Sequence, residues 1–194
     1  MKTQMKFNIT ISIFATIIIL MVLPLSMMGQ QNRGETKQER KEREETEQLQ
    51  RYKQARQLVI DKKFVVPAET IRLSDGGMII PVQSTINFLK MDGEEVVLQV
   101  GSDFVNSSGL NNLGGFTLKG KSLNLKVKEK EKKNKLFITF TLTGVIGTAI
   151  ISLSLTGSEK AMIDVNGMFS GSAFSMHGSV QSIEGVKIFE GTEF

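Results

Sequence analysis

From Phe64 onward, apolar and polar residues alternate along the chain with a period of two. The alternation is clearest in four segments, which are 123–127, 136–142, 149–155 and 174–180. Each segment would place apolar side chains on one side of a strand and mostly polar ones on the other, as in antiparallel sheets. The dipeptide Asp92-Gly93 predicts a tight hairpin between two strands. Residues 64–194 are therefore predicted to form an all-β domain, an antiparallel barrel or sandwich of about eight or nine strands.

The alternation changes phase once within a long predicted strand. Phe116 and Leu118 are apolar at even positions, whereas Leu123, Leu125 and Val127 are apolar at odd positions. A shift by one residue moves every later side chain to the opposite face of a strand. The sequence therefore predicts a β-bulge or a strong bend at 120–122, next to a glycine.

The segment upstream of the β domain is polar and lacks proline. Residues 30–48 have no apolar face to bury and are predicted to be a polar helix or a disordered tether. Residues 49–63 are predicted to be a helix docked on the β domain, because apolar residues recur there at helical spacing. These residues are Leu49, Tyr52, Ala55, Val59 and Ile60.

The N-terminus has the pattern of an export signal. Lys2 and Lys6 precede the apolar run Phe7–Leu25, and Gly29 supplies a small residue before a cut. This pattern predicts a signal peptide over residues 1–29. The alternative is an uncleaved membrane anchor, since the run is long enough to cross a bilayer. Both interpretations predict an exported protein, periplasmic or in the outer envelope, whose only membrane contact is the N-terminal segment.

Composition excludes several kinds of chemistry. The chain has no cysteine, so disulfides, thiol catalysis and cysteine-based metal sites are absent. Its formal net charge of +4 gives no electrostatic footprint for nucleic acid. Neither a phosphate-binding loop nor a dinucleotide fingerprint occurs. We therefore expect no cofactor, no metal and no nucleic-acid partner.

Two places could carry a site. His177 is the only histidine and lies on the polar face of its predicted strand, where an ordinary surface residue is the expectation. The loop Ser102–Gly115 is long, and Asn106, Asn111 and Asn112 could supply paired donors and acceptors to a ligand. The loop could instead simply cross an open end of the β domain, with its apolar residues covering the core.

Near this loop the chain resembles a family of uncharacterised exported proteins of Bacteroidetes, known as a domain of unknown function. The residues that carry the resemblance are Tyr52, Ala55, 63–65, Asn87-Phe88, Gly109, 114–120, 178–180 and 189–191. The resemblance spans about Leu49–Phe194. It implies an envelope protein with a β domain and a leading helix, and it transfers no functional residue.

Together these patterns predict an exported, non-catalytic β module of the cell envelope that binds a partner, either an envelope protein or a small apolar ligand. Three alternatives remain open. They are a barrel that carries a lipid or small molecule, a hydrolase that uses His177 with an acid, and a small outer-membrane barrel. The last would need aromatic girdles, but the chain has one tyrosine and no tryptophan.

Overall fold

The structure is a computed structural model, which describes residues 36–73, 77–101, 115–167 and 173–192. The predicted signal peptide and residues 102–114 of the predicted loop lie outside the described residues. Within these ranges the chain forms one α-helix, α1 (Lys37–Ile60), nine strands and two short 3-10 helices, η1 (Glu131–Lys133) and η2 (Ile183–Gly185). The strands are β1 (Lys63–Leu73), β2 (Ile79–Pro81), β3 (Phe88–Asp92), β4 (Glu95–Val100), β5 (Phe116–Lys130), β6 (Lys135–Gly144), β7 (Gly147–Thr156), β8 (Lys160–Asn166) and β9 (Phe174–Ser179).

Helix α1 begins with a capping box. The chain divides into two compact units after Arg43, and the described part of the first unit holds this cap. The Glu39 N–H donates to the Thr36 hydroxyl at 3.2 Å, and the Thr36 N–H donates to the Glu39 carboxylate at 2.8 Å. This reciprocal pair satisfies two backbone donors that a helix start leaves free. It also lowers the pKa of Glu39, mainly through the backbone hydrogen bond from Thr36.

The second unit contains the rest of α1, which packs against the β domain. Tyr52, Ala55 and Val59 are buried and Leu49 is partly buried, so most of the apolar stripe seen in the sequence faces the core. Ile60, also predicted to belong to it, is the last residue of the helix and is 38% exposed. The preceding turns are exposed on all sides, because they carry charged and amide side chains. Helix α1, the one α-helix in the described part of the chain, is too polar to cross a bilayer.

The strands form one antiparallel sheet in the order β2-β1-β3-β4-β5-β6-β7-β8-β9, which closes because β1 also pairs with β9. The result is an eight-stranded barrel with β2 as an extra strand beside β1. The all-β prediction is confirmed, and closure distinguishes the barrel from the sandwich. The predicted hairpin at Asp92-Gly93 is confirmed as well, since Asp92 pairs with Glu95 and Gly93 has a φ of 64°.

Strand β1 closes the barrel by pairing along both of its edges. One edge pairs with β3 as far as Pro67 and then with β2, and the other pairs with β9 from Ala68 onward. A register shift at Glu69, between Ala68 and Thr70, marks a β-bulge. A bulge bends and twists its strand, which helps a sheet to close.

The predicted bulge in β5 exists, but its predicted position was wrong. Pairing with β6 is regular through Leu123, and the register shifts between Leu123 and Lys126, where Asn124 has a φ of 55°. Leu123 therefore remains in phase with the first half of β5, opposite Thr141 on the outer face, and is 48% exposed. Its predicted place in the core is corrected.

Val127 was also predicted to lie in the core but is 50% exposed. It pairs with the buried Ile138 and so shares the inner face of the sheet. At this point, however, β5 extends past β4, whose pairing with β5 ends at Lys121. A residue beyond its neighbouring strand is covered from one side only.

The barrel interior is one continuous apolar cluster that includes the buried face of α1. Its largest fully buried members come from β1 and from the five consecutive strands β3 to β7. They are Phe64, Ile71, Leu89, Met91, Leu98, Leu118, Leu136, Ile138, Phe140, Leu142 and Ile151.

A second, smaller apolar cluster lies on the outer face of β1, β3 and β4. Val65, Phe88 and Val97 are buried there beneath Val186 and Ile188. We call residues 186–191 the C-terminal strap. The strap covers outward apolar side chains that would otherwise face water.

Candidate functional site

His177 lies on the outer face of β9, between Thr70 of β1 and Met162 of β8. A hollow of about 400 Å³ surrounds it, lined by Glu69, Ser154, Thr156, Lys160 and Met162 among others. Glu69 enters this hollow because it is the bulged residue of β1. Glu69 was not among the predicted site residues, since nothing in the local sequence pattern reveals that bulge.

The groups in this hollow form no pair of nucleophile and base among the described residues. Nucleophilic catalysis needs a hydrogen bond between the nucleophile and its base. The Ser154 hydroxyl instead donates to the Met162 carbonyl at 3.5 Å. Within the ranges that the structure covers, no hydrogen bond or ion pair joins His177 to a carboxylate or a hydroxyl.

A second hollow, of about 540 Å³, lies one step further along the same outer face. It is lined by Arg72, Ser152, Asp164, Asn166 and Ser175 together with backbone and apolar neighbours. Ser152, Asp164, Ser175 and Arg72 are directly opposed in turn across four strands. We call this uncovered surface of β6–β9 and the end of β1 the hydroxyl face, because serine and threonine dominate its outward positions.

A further question is whether the described side chains could bind a metal ion. Among the described residues, no three carboxylate or imidazole side chains come together in a way that could hold a metal ion. His177 has only Glu69 as an acidic neighbour in its hollow.

The most complete polar cluster fixes the C-terminal strap. The Gln99 side chain is fully buried on the outer face and uses its whole hydrogen-bonding capacity. Its amide group donates to the carbonyls of Ile86 (3.0 Å) and Phe189 (2.7 Å). Its amide oxygen accepts from the Thr117 hydroxyl (3.0 Å) and the Gly191 N–H (2.7 Å). Gln99 thus binds the strap as a neighbouring strand would.

Charges beside this amide strengthen the attachment. Glu190 of the strap forms ion pairs with Lys90 and with Lys119, the latter at 3.3 Å. Burial by itself would raise the pKa of Glu190, but the hydrogen bonds and charges of the two lysines lower it overall. A lowered pKa means that this stabilisation is present at neutral pH and is lost as Glu190 becomes protonated in acid.

A third polar cluster lies where α1 meets the β5–β6 hairpin. Arg56 forms a bidentate ion pair with Glu129, with Nη2 to Oε2 at 2.7 Å. Tyr52 lines the same 380 Å³ hollow, and its hydroxyl is buried without a partner among the described residues. Burial raises the pKa of Tyr52, and the nearby Glu129 charge adds to this, while Arg56 opposes it.

The titration of Tyr52 can be measured directly, because it is the only tyrosine and tryptophan is absent. We expect the phenolate absorbance of the folded protein to appear at a higher pH than in concentrated urea, above the ordinary value of 10.0. Since the folded-state pKa is raised, the unfolded state ionises first, and stability falls as pH rises above that value. Tyr52→Phe should reduce this alkaline loss. Equal midpoints in both states would contradict the burial of the hydroxyl.

The predicted ligand residues Asn106, Asn111 and Asn112 lie outside the described residues. The residues flanking their segment are held firmly at the end of the strands far from α1. The Gly101 N–H donates to the Asn87 side chain at 2.9 Å. Phe116 packs edge-to-face on Phe174, with ring centroids 6.3 Å apart.

The comparison with known families decides the identity of this domain. A family model described as "Domain of unknown function (DUF4251)" matches residues 46–180, which is more than half of the chain. The chain belongs to the DUF4251 family. The resemblance stated from the sequence is thereby confirmed at the level of a β-rich domain of unknown function.

A solved structure extends this result to the fold. A DUF4251 family protein from Bacteroides eggerthii is similar over 75% of this chain and 96% of its own, with a TM-score of 0.63 and 24% identity. Identity at this level supports the fold alone. A search of curated proteins gave no match.

The structure also shows what several of the DUF4251-like residues do in this chain. Asn87 holds Gly101, Thr117 and Gly191 bond to Gln99, and Glu190 pairs with Lys119. These residues are far apart in the sequence and converge on the attachment of the strap. Their roles here are structural, so they explain the fold and indicate no reaction.

Proposed function

We propose that this DUF4251 domain is an exported, non-catalytic module of the cell envelope that binds a partner protein through its outer surface. The observation that supports this most directly is how its polar groups are used. Gln99, Asn87 and Thr117, the buried polar side chains of the described residues, all hold the chain's own backbone or one another. Contacts with other molecules are therefore left to side chains on the exposed faces.

The packed interior weighs against the alternative of a barrel that carries a lipid or small molecule. A carrier barrel needs an internal cavity. Here side chains as large as Phe64 and Phe140 are at most 1% exposed, and Tyr52 and Val59 of α1 add to the same cluster. The interior volume of the described barrel is taken up by its own side chains.

The position of His177 weighs against the hydrolase. Glu69 and Ser154 share its hollow, but the serine hydroxyl is directed to a backbone carbonyl. A hydrolytic activity that His177→Gln abolishes at unchanged stability would contradict the non-catalytic part of this proposal.

The hydroxyl face is the surface best suited to a protein partner. Its two hollows offer hydroxyl, carboxylate, imidazole and guanidinium groups from neighbouring strands of a rigid sheet. The opposite face is covered by the strap. A partner that presents backbone amides and polar side chains would find complementary donors and acceptors on the uncovered face.

Site-specific cross-linking tests this surface. Because the chain has no native cysteine, a label attaches only at the introduced one. A photoreactive label on Ser152→Cys should cross-link to one envelope protein in cells that make the domain natively. The same label on Phe189→Cys, an exposed position on the strap side, is the matched control. Equal cross-linking from both positions, or from neither, would contradict binding through the hydroxyl face.

A further inference from the structure

The β5–β6 hairpin projects beyond its neighbouring strand as an arm. We call residues 123–137 the basic arm, which comprises β5 after its bulge, η1 and the start of β6. Because β4 stops pairing with β5 at Lys121, no described strand covers that edge of the arm. The arm has six lysines and two glutamates, a net charge of +4, which equals the formal charge of the whole chain. The rest of the protein is therefore neutral overall.

Three lysines of β5 within the arm lie on one side and have no acidic partner among the described residues. Lys126, Lys128 and Lys130 are exposed at successive outward positions, opposite Thr139, Phe137 and Lys135 of β6. Within the described ranges these three side chains form no ion pair. Glu129 points to the other face, where Arg56 neutralises it. The outward side is thus more basic than the composition of the arm suggests.

Apolar side chains lie beside these lysines on the same outer face. Leu123 is 48% exposed just before the bulge, and Ile150 is 51% exposed two strands away, with Thr141 between them. Phe137 is half-buried opposite Lys128. A surface that combines adjacent lysines with partly exposed apolar groups matches the headgroup region of a bilayer, where charge and apolar contact act together.

We infer that the basic arm docks the barrel on an anionic phospholipid surface, with its lysines bound to headgroup phosphates. Lysine on an edge strand prevents edge-to-edge pairing, but here lysines occupy three successive outward positions of β5 and two positions of the turn. From the sequence, membrane contact was predicted through the N-terminal segment alone. The arm adds a second contact, which orients the domain with β5 and η1 toward the bilayer.

The test uses the full chain reconstituted into vesicles, with an environment-sensitive fluorophore on Lys132→Cys in the turn of the arm. With phosphatidylglycerol in the vesicles, the probe should become protected from an aqueous quencher. With phosphatidylcholine alone it should stay accessible, and high salt should reverse the protection. A probe on Val145→Cys, at the far end of the strands and 78% exposed, should stay accessible throughout.

Charge removal provides the decisive variant. Neutralising Lys126, Lys128 and Lys130 to glutamine should lower the ratio of docked to undocked arm about a hundredfold, since each lysine near an anionic surface contributes about a fivefold factor. The matched control neutralises Lys37, Lys63 and Lys187, three exposed lysines elsewhere. Thermal unfolding of both variants checks that the barrel is intact.

Three outcomes would overturn the inference. One is equal protection of the Lys132 probe on neutral and anionic vesicles. Another is an equal loss of protection in the control variant, because the effect would then follow net charge and not the arm. The third is a probe that responds to duplex DNA in solution and not to anionic vesicles, which would assign the arm to nucleic acid.

Discussion

Gly178→Ala is expected to destabilise the barrel by about 3 kcal/mol or more. A methyl group at this position would lie 2.1 Å from the carbonyl oxygen of Pro67. Gly178 pairs with Ala68 where β9 meets β1 and closes the barrel, and Pro67 is the preceding residue of β1. The obstacle is therefore backbone and cannot move aside like a side-chain tip. Urea unfolding of the purified variant measures the loss.

The matched control is Gly185→Ala in η2. A methyl group there meets nothing within 4 Å, and the backbone is not in the left-handed region. Its free energy of unfolding should change by no more than about 0.5 kcal/mol. Equal stability of the two variants would show that the close approach of β1 and β9 is not required for closure.

Much of the barrel could be predicted because local pattern and burial agree along most strands. In β6 and β7, apolar residues at alternate positions are all buried, as the period of two requires. The Asp92-Gly93 turn was predictable for a similar reason, since the left-handed φ of Gly93 is a local demand. Such features depend on a few neighbouring residues.

Features that depend on distant parts of the chain were not predictable. The β5 bulge begins at Asn124, four residues after the glycine that suggested it, because pairing with β6 decides which residues are left over. Leu123 is exposed because the bulge comes after it and leaves it on the outer face. Val127 is exposed because β5 extends past β4, and strand length relative to a neighbour is not a local property.

The candidate site was less predictable than the fold. His177 was correctly predicted to lie on a polar face. Glu69 lines the same hollow because of a bulge that the sequence pattern does not predict. In the sequence, Gln99 looks like an ordinary polar residue on the outer face of a strand. It is the most fully hydrogen-bonded side chain of the described structure only because the strap, some ninety residues later in the chain, packs beside it.

Replacing this side chain should have the second large effect. Gln99→Leu is expected to lower the free energy of unfolding by about 3 kcal/mol, because it leaves several groups near the strap without their partners. These groups are the carbonyls of Ile86 and Phe189, the Gly191 N–H and the Thr117 hydroxyl. Urea unfolding gives the value. Because the leucine side chain still fills the site, the loss of stability reports the missing hydrogen bonds more than missing volume.

A double-mutant cycle separates the role of the strap from that of the strand. Ending the chain after Gly185 removes two of the four partners of Gln99 and uncovers Val65, Phe88 and Val97. In that shortened chain, Gln99→Leu should cost at least about 1 kcal/mol less than in the full chain, because coupled sites are not additive. Additive losses would mean that Gln99 stabilises β4 alone. The attachment of the strap would then rest on the apolar contacts of Val186 and Ile188 and on the ion pairs of Glu190.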